Sequence, residues 1–109
     1  MRASLPLLPY GRVLTLTDSR RTFQRLADAS CEGCDGMAAS TADGWVLGWF
    51  DGNPATLVHE CVHVALWLLA DVGIDPQAER GEPMAYLVDS MFTRCLAAGQ
   101  NRAGRPRKG

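Results

Sequence analysis

The stretch Asn53–Gly73, N-P-A-T-L-V-H-E-C-V-H-V-A-L-W-L-L-A-D-V-G, decides the fold of this chain. Asn53 is a good helix N-cap, and Pro54 suits the first helical position because its missing N–H would have no partner there. Gly73 favours the left-handed conformation that ends a helix. The residues between them are apolar on nearly every side, which is typical of a buried helix. We therefore predict a buried core helix from Pro54 to about Val72.

Shorter elements are predicted around this helix. Gly11–Thr17 and Trp45–Phe50 are rich in β-branched or apolar residues and indicate strands, and Met37–Thr41 indicates a shorter strand. Arg20–Ala29 is predicted to be a helix, and a last helix should begin at Pro83 and fade near Gly99. Together these elements predict an α+β fold, with a small antiparallel or mixed sheet packed on the buried helix. The last helix carries apolar residues at i, i+3, i+4 spacing: Met84, Leu87, Val88, Met91, Phe92, Cys95 and Leu96.

The length of 109 residues suits one domain. We expect that domain to span residues 1–99, followed by a disordered basic tail over 100–109. The tail contains Arg102, Arg105, Arg107 and Lys108. The net charge of -1 gives no overall field that would attract nucleic acid or a membrane surface, so the tail is the only hint of nucleic acid. Its simplest interpretation is a solubilising end.

The first nine residues contain prolines and show no secretory signal pattern. The longest apolar run, Val62–Ala70, is interrupted by His63 and is too short to span a bilayer. We therefore expect a soluble, cytoplasmic protein that has no membrane partner. In that compartment its four cysteines should be thiols.

The chemistry lies in the segment His59-Glu60-Cys61-Val62-His63. Residues four apart on a helix leave the same face one turn apart, so both imidazoles can bind one zinc ion. Glu60 lies on the flank of that face, where it can reach a metal-bound water without binding the metal. H-E-x-x-H is the zinc peptidase signature for this reason. We predict a Zn²⁺ site at His59 and His63, with Glu60 as general base.

A catalytic zinc ion usually takes a third protein ligand and leaves one position to water. Glu82 is the candidate, because the connection after His63 is long enough to bring the next helix back antiparallel. Glu79 is the nearest competitor. Asp89 and Tyr86 fall on the same helical face as Glu82. Asp89 could orient a ligand histidine through its second N–H, and the Tyr86 hydroxyl could stabilise an oxyanion.

The cysteines are interpreted separately from this site. Cys61 points away from the histidine face, and Cys95 lies in the core stripe, so both are predicted to be core residues. Cys31 and Cys34 form one C-x-x-C pair, and no second pair completes a zinc knuckle. Metal binding, redox chemistry and no role at all stay open for the loop pair.

The pattern His59-Glu60-x-x-His63 followed by Glu82-x-x-Ala85-Tyr86 resembles the minimal gluzincins. It is similar to the ImmA/IrrE-type metallopeptidases and to small metallopeptidases encoded in phage and prophage genomes. The resemblance implies a zincin-like domain that acts in the bacterial cytoplasm on a peptide or protein substrate. It implies zinc bound by His59, His63 and Glu82. It also implies an extended substrate beside the strand that contains Trp45, Val46, Leu47, Gly48 and Trp49.

Two other functions stay open at this point. The same catalytic group could hydrolyse another bond, as in a nuclease or an amidase. Alternatively, zinc could only stabilise a non-enzymatic interaction protein of phage origin. Glu60 discriminates between these classes, because a purely structural zinc site does not need it and usually has four protein ligands.

Overall fold

The computed structural model describes residues 1–103, and these residues form an α+β fold. The strands are β1 (Arg2–Leu7), β2 (Arg12–Thr17), β3 (Gly36–Ser40) and β4 (Gly44–Trp49). The helices are α1 (Arg20–Ala27), α2 (Pro54–Val72) and α3 (Glu82–Ala103), and a 3₁₀ turn (Ala78–Gly81) precedes α3.

The four strands form one mixed sheet in the order β1-β2-β4-β3. β2 pairs with β4 in parallel, whereas the pairs β1–β2 and β3–β4 are antiparallel. The predicted α+β class with a mixed sheet is therefore confirmed. The two edges of the sheet are β1 and β3.

The predicted substrate strand is wrong, because β4 lies inside the sheet. Its main chain already pairs with β2 on one side and with β3 on the other. An added peptide strand would need free main-chain groups, which only an edge strand offers. The correction applies to the whole predicted set: Trp45, Val46, Leu47, Gly48 and Trp49.

α2 has the predicted bounds and caps. The Asn53 side chain accepts a hydrogen bond from the Ala55 amide at 3.0 Å, and Gly73 ends the helix at φ 77°. The helix is not buried all round, however. His59 and His63 are exposed, as are Leu66 and Trp67 at 40% and 39%. One strip of α2 therefore faces solvent, and the opposite face packs on the sheet and α3.

The hydropathy of α2 is high for a helix of a globular domain. An 18-residue window reaches a mean hydropathy of 1.4, so by length and composition α2 could cross a membrane. In the fold it is the core helix, with seven buried residues. These are Leu57, Glu60, Cys61, Val64, Ala65, Leu68 and Leu69.

The sheet is covered on both faces. Leu14, Leu16 and Leu47 belong to the main core, together with buried residues of α2 and α3. Val46 points to the other face and packs with Phe23 of α1. Alternation along the strands explains this division, since successive side chains leave opposite faces of a sheet.

β1 has no counterpart in the sequence prediction, because Pro6 and Pro9 argue against a strand. Proline is tolerated on an edge strand, whose outer N–H groups have no partner in the sheet. The alternation of Arg2 and Ser4 with the apolar Ala3, Leu5 and Leu7 is the sequence signal that could have identified this strand.

α3 carries the predicted core stripe, with Leu87, Met91 and Cys95 buried. The helix continues to Ala103, so its last four residues belong to the segment predicted as a tail. Residues 104–109, which contain Arg105, Arg107 and Lys108 of the predicted basic tail, lie outside the described residues.

β3 lies unusually close to α2 because its residues facing that helix are small. A Cβ atom built on Gly36 would lie 2.5 Å from Thr56 Cγ2 and 3.3 Å from Glu60 Cγ. Ala38, two residues along, packs against the same core as α2. Glycine at position 36 therefore sets how closely the sheet edge approaches the helix that carries Glu60.

We expect Gly36→Ala to destabilise the fold by about 1–3 kcal/mol, the usual cost of overpacking. Thr56→Ser removes the methyl group that would clash and keeps the hydroxyl that donates to Asp51 at 2.7 Å. Urea unfolding of the two single variants and of the double variant measures the coupling. The double variant should be more stable than the sum of the single effects predicts. Additive effects would show that this contact does not set the spacing.

Candidate metal and hydrolase site

Two histidines on the exposed strip of α2 point toward each other. His59 Nε2 and His63 Nε2 are 3.3 Å apart, and the ring centroids are 4.9 Å apart at an interplanar angle of 75°. The helix produces this pair locally, since residues four apart lie one turn above each other on one face. No folding contact from elsewhere is needed to bring the two nitrogens together.

The separation of the two nitrogens fits zinc. Bonds of 2.0–2.1 Å at a tetrahedral angle place two ligand nitrogens about 3.3 to 3.4 Å apart. The same distance permits an N–H···N hydrogen bond between two neutral rings of suitable tautomers. The pair is therefore preorganised for a metal ion without being strained when it holds none.

Glu60 is a buried carboxylate next to this pair, with only 7% of its surface exposed. Its Oε2 lies 3.9 Å from His59 Nε2, and no hydrogen bond to its carboxylate is found within the described residues. Both carboxylate oxygens therefore keep some contact with solvent. A buried acidic side chain without a strong partner is costly, which is typical of functional sites.

Glu60 reaches solvent through a cleft of about 460 Å³ between α2 and the start of β3. His59 and Thr56 line the helix side, and Cys34, Asp35 and Gly36 line the opposite side. A hydrogen bond from the Thr56 hydroxyl and a weaker contribution from the Asn53 amide hold the pKa of Asp51 below its usual value. The Asp51 carboxylate thus fixes the first turn of α2, where the cleft begins.

β3, not β4, is the edge strand beside the site. β3 and α2 run in the same direction, since Gly36 approaches Glu60 and Ser40 lines a second cavity with Trp67. The histidine pair lies between these two ends. Sequence reasoning missed this strand as a site element, although Met37–Thr41 was predicted to be a strand.

The structure does not bring Glu82 to the histidines. The thiols of Cys61 and Cys95 contact each other, which sets the antiparallel register of α2 and α3. Glu82 is thirteen residues before Cys95, about 20 Å along the axis at 1.5 Å per residue. α3 also packs on the face of α2 that carries Cys61. Because Cys61 follows His59 by two residues, this face points away from His59. The described residues contain no group of three candidate ligands.

The other predicted partners also lie apart from the pair. Tyr86 is 71% exposed on α3, and Asp89 accepts a hydrogen bond from the Thr93 hydroxyl at 3.3 Å. Glu79, the competitor of Glu82, lies exposed in the 3₁₀ turn at φ 51°. Counted from the Cys61–Cys95 contact, Asp89 lies about level with Trp67 and Tyr86 about level with Ala70. Glu79 precedes α3, so all three lie toward the C-terminal end of α2 and away from the histidine pair.

The cysteines divide into core and cleft. Cys61 and Cys95 are buried as predicted. Contact with Cys95, reinforced by burial, raises the pKa of the Cys61 thiol well above its usual value, so that thiol is unreactive. Cys31 is also buried, and its carbonyl accepts a hydrogen bond from Arg20. Cys34 is the exception, because it lines the cleft.

Trp67 lies one turn beyond His63 on the exposed strip of α2. We call His59, His63 and Trp67 together the histidine strip. Its ring stacks on His63, with the centroids 5.8 Å apart and the planes at 24°. This contact restricts the His63 ring on the side away from His59.

Comparison of this chain with protein-family models, curated proteins and solved structures finds no match. The fold and site are therefore described by their own geometry: an α+β domain with two histidines and a buried glutamate in a cleft beside an edge strand.

The Glu82→Gln variant separates the observed geometry from the three-ligand site that the sequence predicts. Because Glu82 lies far from the pair, we expect its zinc affinity to equal that of the wild type. His63→Ala should lose zinc binding, because it removes half of the pair. Competition with a chromophoric chelator measures both affinities. A loss of tenfold or more in Glu82→Gln would show that the first turn of α3 moves to the metal.

Proposed function

We propose that this protein is a zinc-dependent hydrolase that cleaves peptide bonds. The observation that carries the proposal is the pair of nitrogens 3.3 Å apart with the buried Glu60 beside it. A pair at zinc spacing next to a carboxylate suits activation of water, whereas a structural site does not need the carboxylate.

His59 and His63 would hold the ion, and the remaining positions would be open to solvent and substrate. Bound zinc would lower the pKa of a water molecule toward about 7 and polarise the scissile carbonyl. Glu60 would accept the proton of the attacking water and deliver it to the leaving amine. Its burial holds the carboxylate in place, and the cleft gives it access to solvent.

The edge strand favours a peptide over other substrates. The outer main-chain groups of β3 can pair with an extended peptide, which fixes both its position and its direction. The absence of a side chain at Gly36 and the small side chain of Ala38 keep this edge close to Glu60. A nuclease would instead be expected to present basic side chains at the cleft, whose lining within the described residues contains neither Lys nor Arg.

Metal analysis combined with a Glu60→Gln variant tests the proposal. We expect the reconstituted protein to bind one zinc ion and to cut members of a peptide library, detected by mass spectrometry. Glu60→Gln should retain the zinc and lose about a hundredfold or more in cleavage rate, since it removes a general base. Glu32→Gln makes the same change on an exposed loop and should have no effect.

Three outcomes would contradict the proposal. Absence of stoichiometric zinc would overturn the metal site. Equal cleavage by wild type and Glu60→Gln would overturn the catalytic role of Glu60, and bound zinc without any cleavage would leave a metal-stabilised interaction protein. Hydrolysis of single-stranded nucleic acid or of small amides, with peptides left intact, would overturn the substrate class.

A further inference from the structure

A cavity of about 840 Å³ lies at the other end of the edge strand. It is formed where β3 ends at Ser40 and turns into β4, and α2 closes it with Trp67, Ala70 and Asp71. Trp67 connects this cavity to the site, since it stacks on His63. The cleft at Glu60 and this cavity thus lie near opposite ends of β3, on the side where α2 packs against it.

The charges in this cavity favour a cation. Arg12 is its basic residue, and both its Nε and its Nη2 contact the same oxygen, Asp71 Oδ2, at 2.8 and 2.7 Å. Among the described residues no donor contacts the other oxygen, Asp71 Oδ1, so this atom can accept a further hydrogen bond. Asp43 adds a second carboxylate, exposed in the β3–β4 turn. The cavity is therefore lined by one guanidinium and two carboxylates.

Two further features of the cavity also favour a positively charged side chain. The cavity reaches the last turn of α2, where the helix dipole is negative and favours positive charge. The exposed indole of Trp67 can pack against an aliphatic stem and attract its cationic end. A lysine or arginine side chain has both parts.

We propose that this cavity is a subsite for a basic side chain of the peptide substrate. The proposal rests on the peptide hydrolase function and names its specificity. The centre of the cavity lies about 12 Å along α2 from the histidine pair, at 1.5 Å per residue. An extended peptide covers that distance in three to four residues. The basic residue therefore lies three to four positions from the bond that is cut.

Binding of uncut peptides tests the subsite independently of hydrolysis. Capped hexapeptides of alanine and serine, with one lysine, norleucine or glutamate, are titrated into the ¹⁵N-labelled protein. We expect lysine peptides to shift the amides of Thr41–Gly44 and the Trp67 indole, and to bind roughly two- to fivefold tighter than norleucine peptides. Glutamate peptides should bind more weakly than both. Added salt should reduce the lysine preference.

Variants assign the preference to the cavity. Asp43→Asn should abolish most of the lysine preference while keeping the turn, since asparagine, like aspartate, is favoured in turns. Asp43→Lys should reverse it toward glutamate peptides. Asp28→Asn is the matched control, because it makes the same charge change at the end of α1, in a left-handed conformation that asparagine tolerates. It should leave the preference unchanged.

The outcomes separate the two proposals. Tighter binding of norleucine or glutamate peptides, or a lysine preference that Asp43→Asn leaves intact, would overturn the subsite. If lysine peptides bind at the cavity but no peptide is ever cut, the subsite stands and the hydrolase proposal fails. If peptides with and without a basic residue three to four positions from the cut are cleaved at equal rates, the subsite fails and the hydrolase proposal stands.

Discussion

The close approach of β3 to α2 is the contact on which the rest of the site depends. Gly36 leaves room for Thr56 and for the stem of Glu60, so the helix can lie against the edge of the sheet. This spacing buries Glu60 and leaves its carboxylate facing a narrow cleft. It also aligns a free strand edge with the histidine strip. A larger side chain at this position would separate the edge strand from the chemistry.

Sequence reasoning predicted those parts of the fold whose signals are local. The bounds of α2 follow from its own caps, Asn53 and Gly73, and the buried stripe of α3 follows from its periodicity. β1 was missed because proline argues against a strand, and the exception for edge strands applies only once the edges are known. The order β1-β2-β4-β3 was also inaccessible, because pairing between distant strands leaves no local pattern.

The candidate site also has some parts that local sequence signals predict and others that depend on the packing of distant elements. The distance between the His59 and His63 nitrogens follows from helix geometry alone, so the sequence predicts it. The position of Glu82 depends on the register of α3 against α2, which contacts such as Cys61–Cys95 determine. The connection between His63 and Glu82 is long enough for the two residues to meet, but the packing of α3 on α2 keeps them apart. The edge role of β3 required the strand order, so the substrate strand was placed one strand too far inside the sheet.

The function proposed for this protein requires that the His59–His63 pair binds a metal ion within reach of Glu60. Crystals grown with Zn²⁺ and measured on both sides of the zinc absorption edge test it most directly. We expect one strong anomalous peak bonded to both Nε2 atoms, with solvent between it and the Glu60 carboxylate. A zinc peak elsewhere, or no peak on α2, would show that the histidine pair is not the metal site.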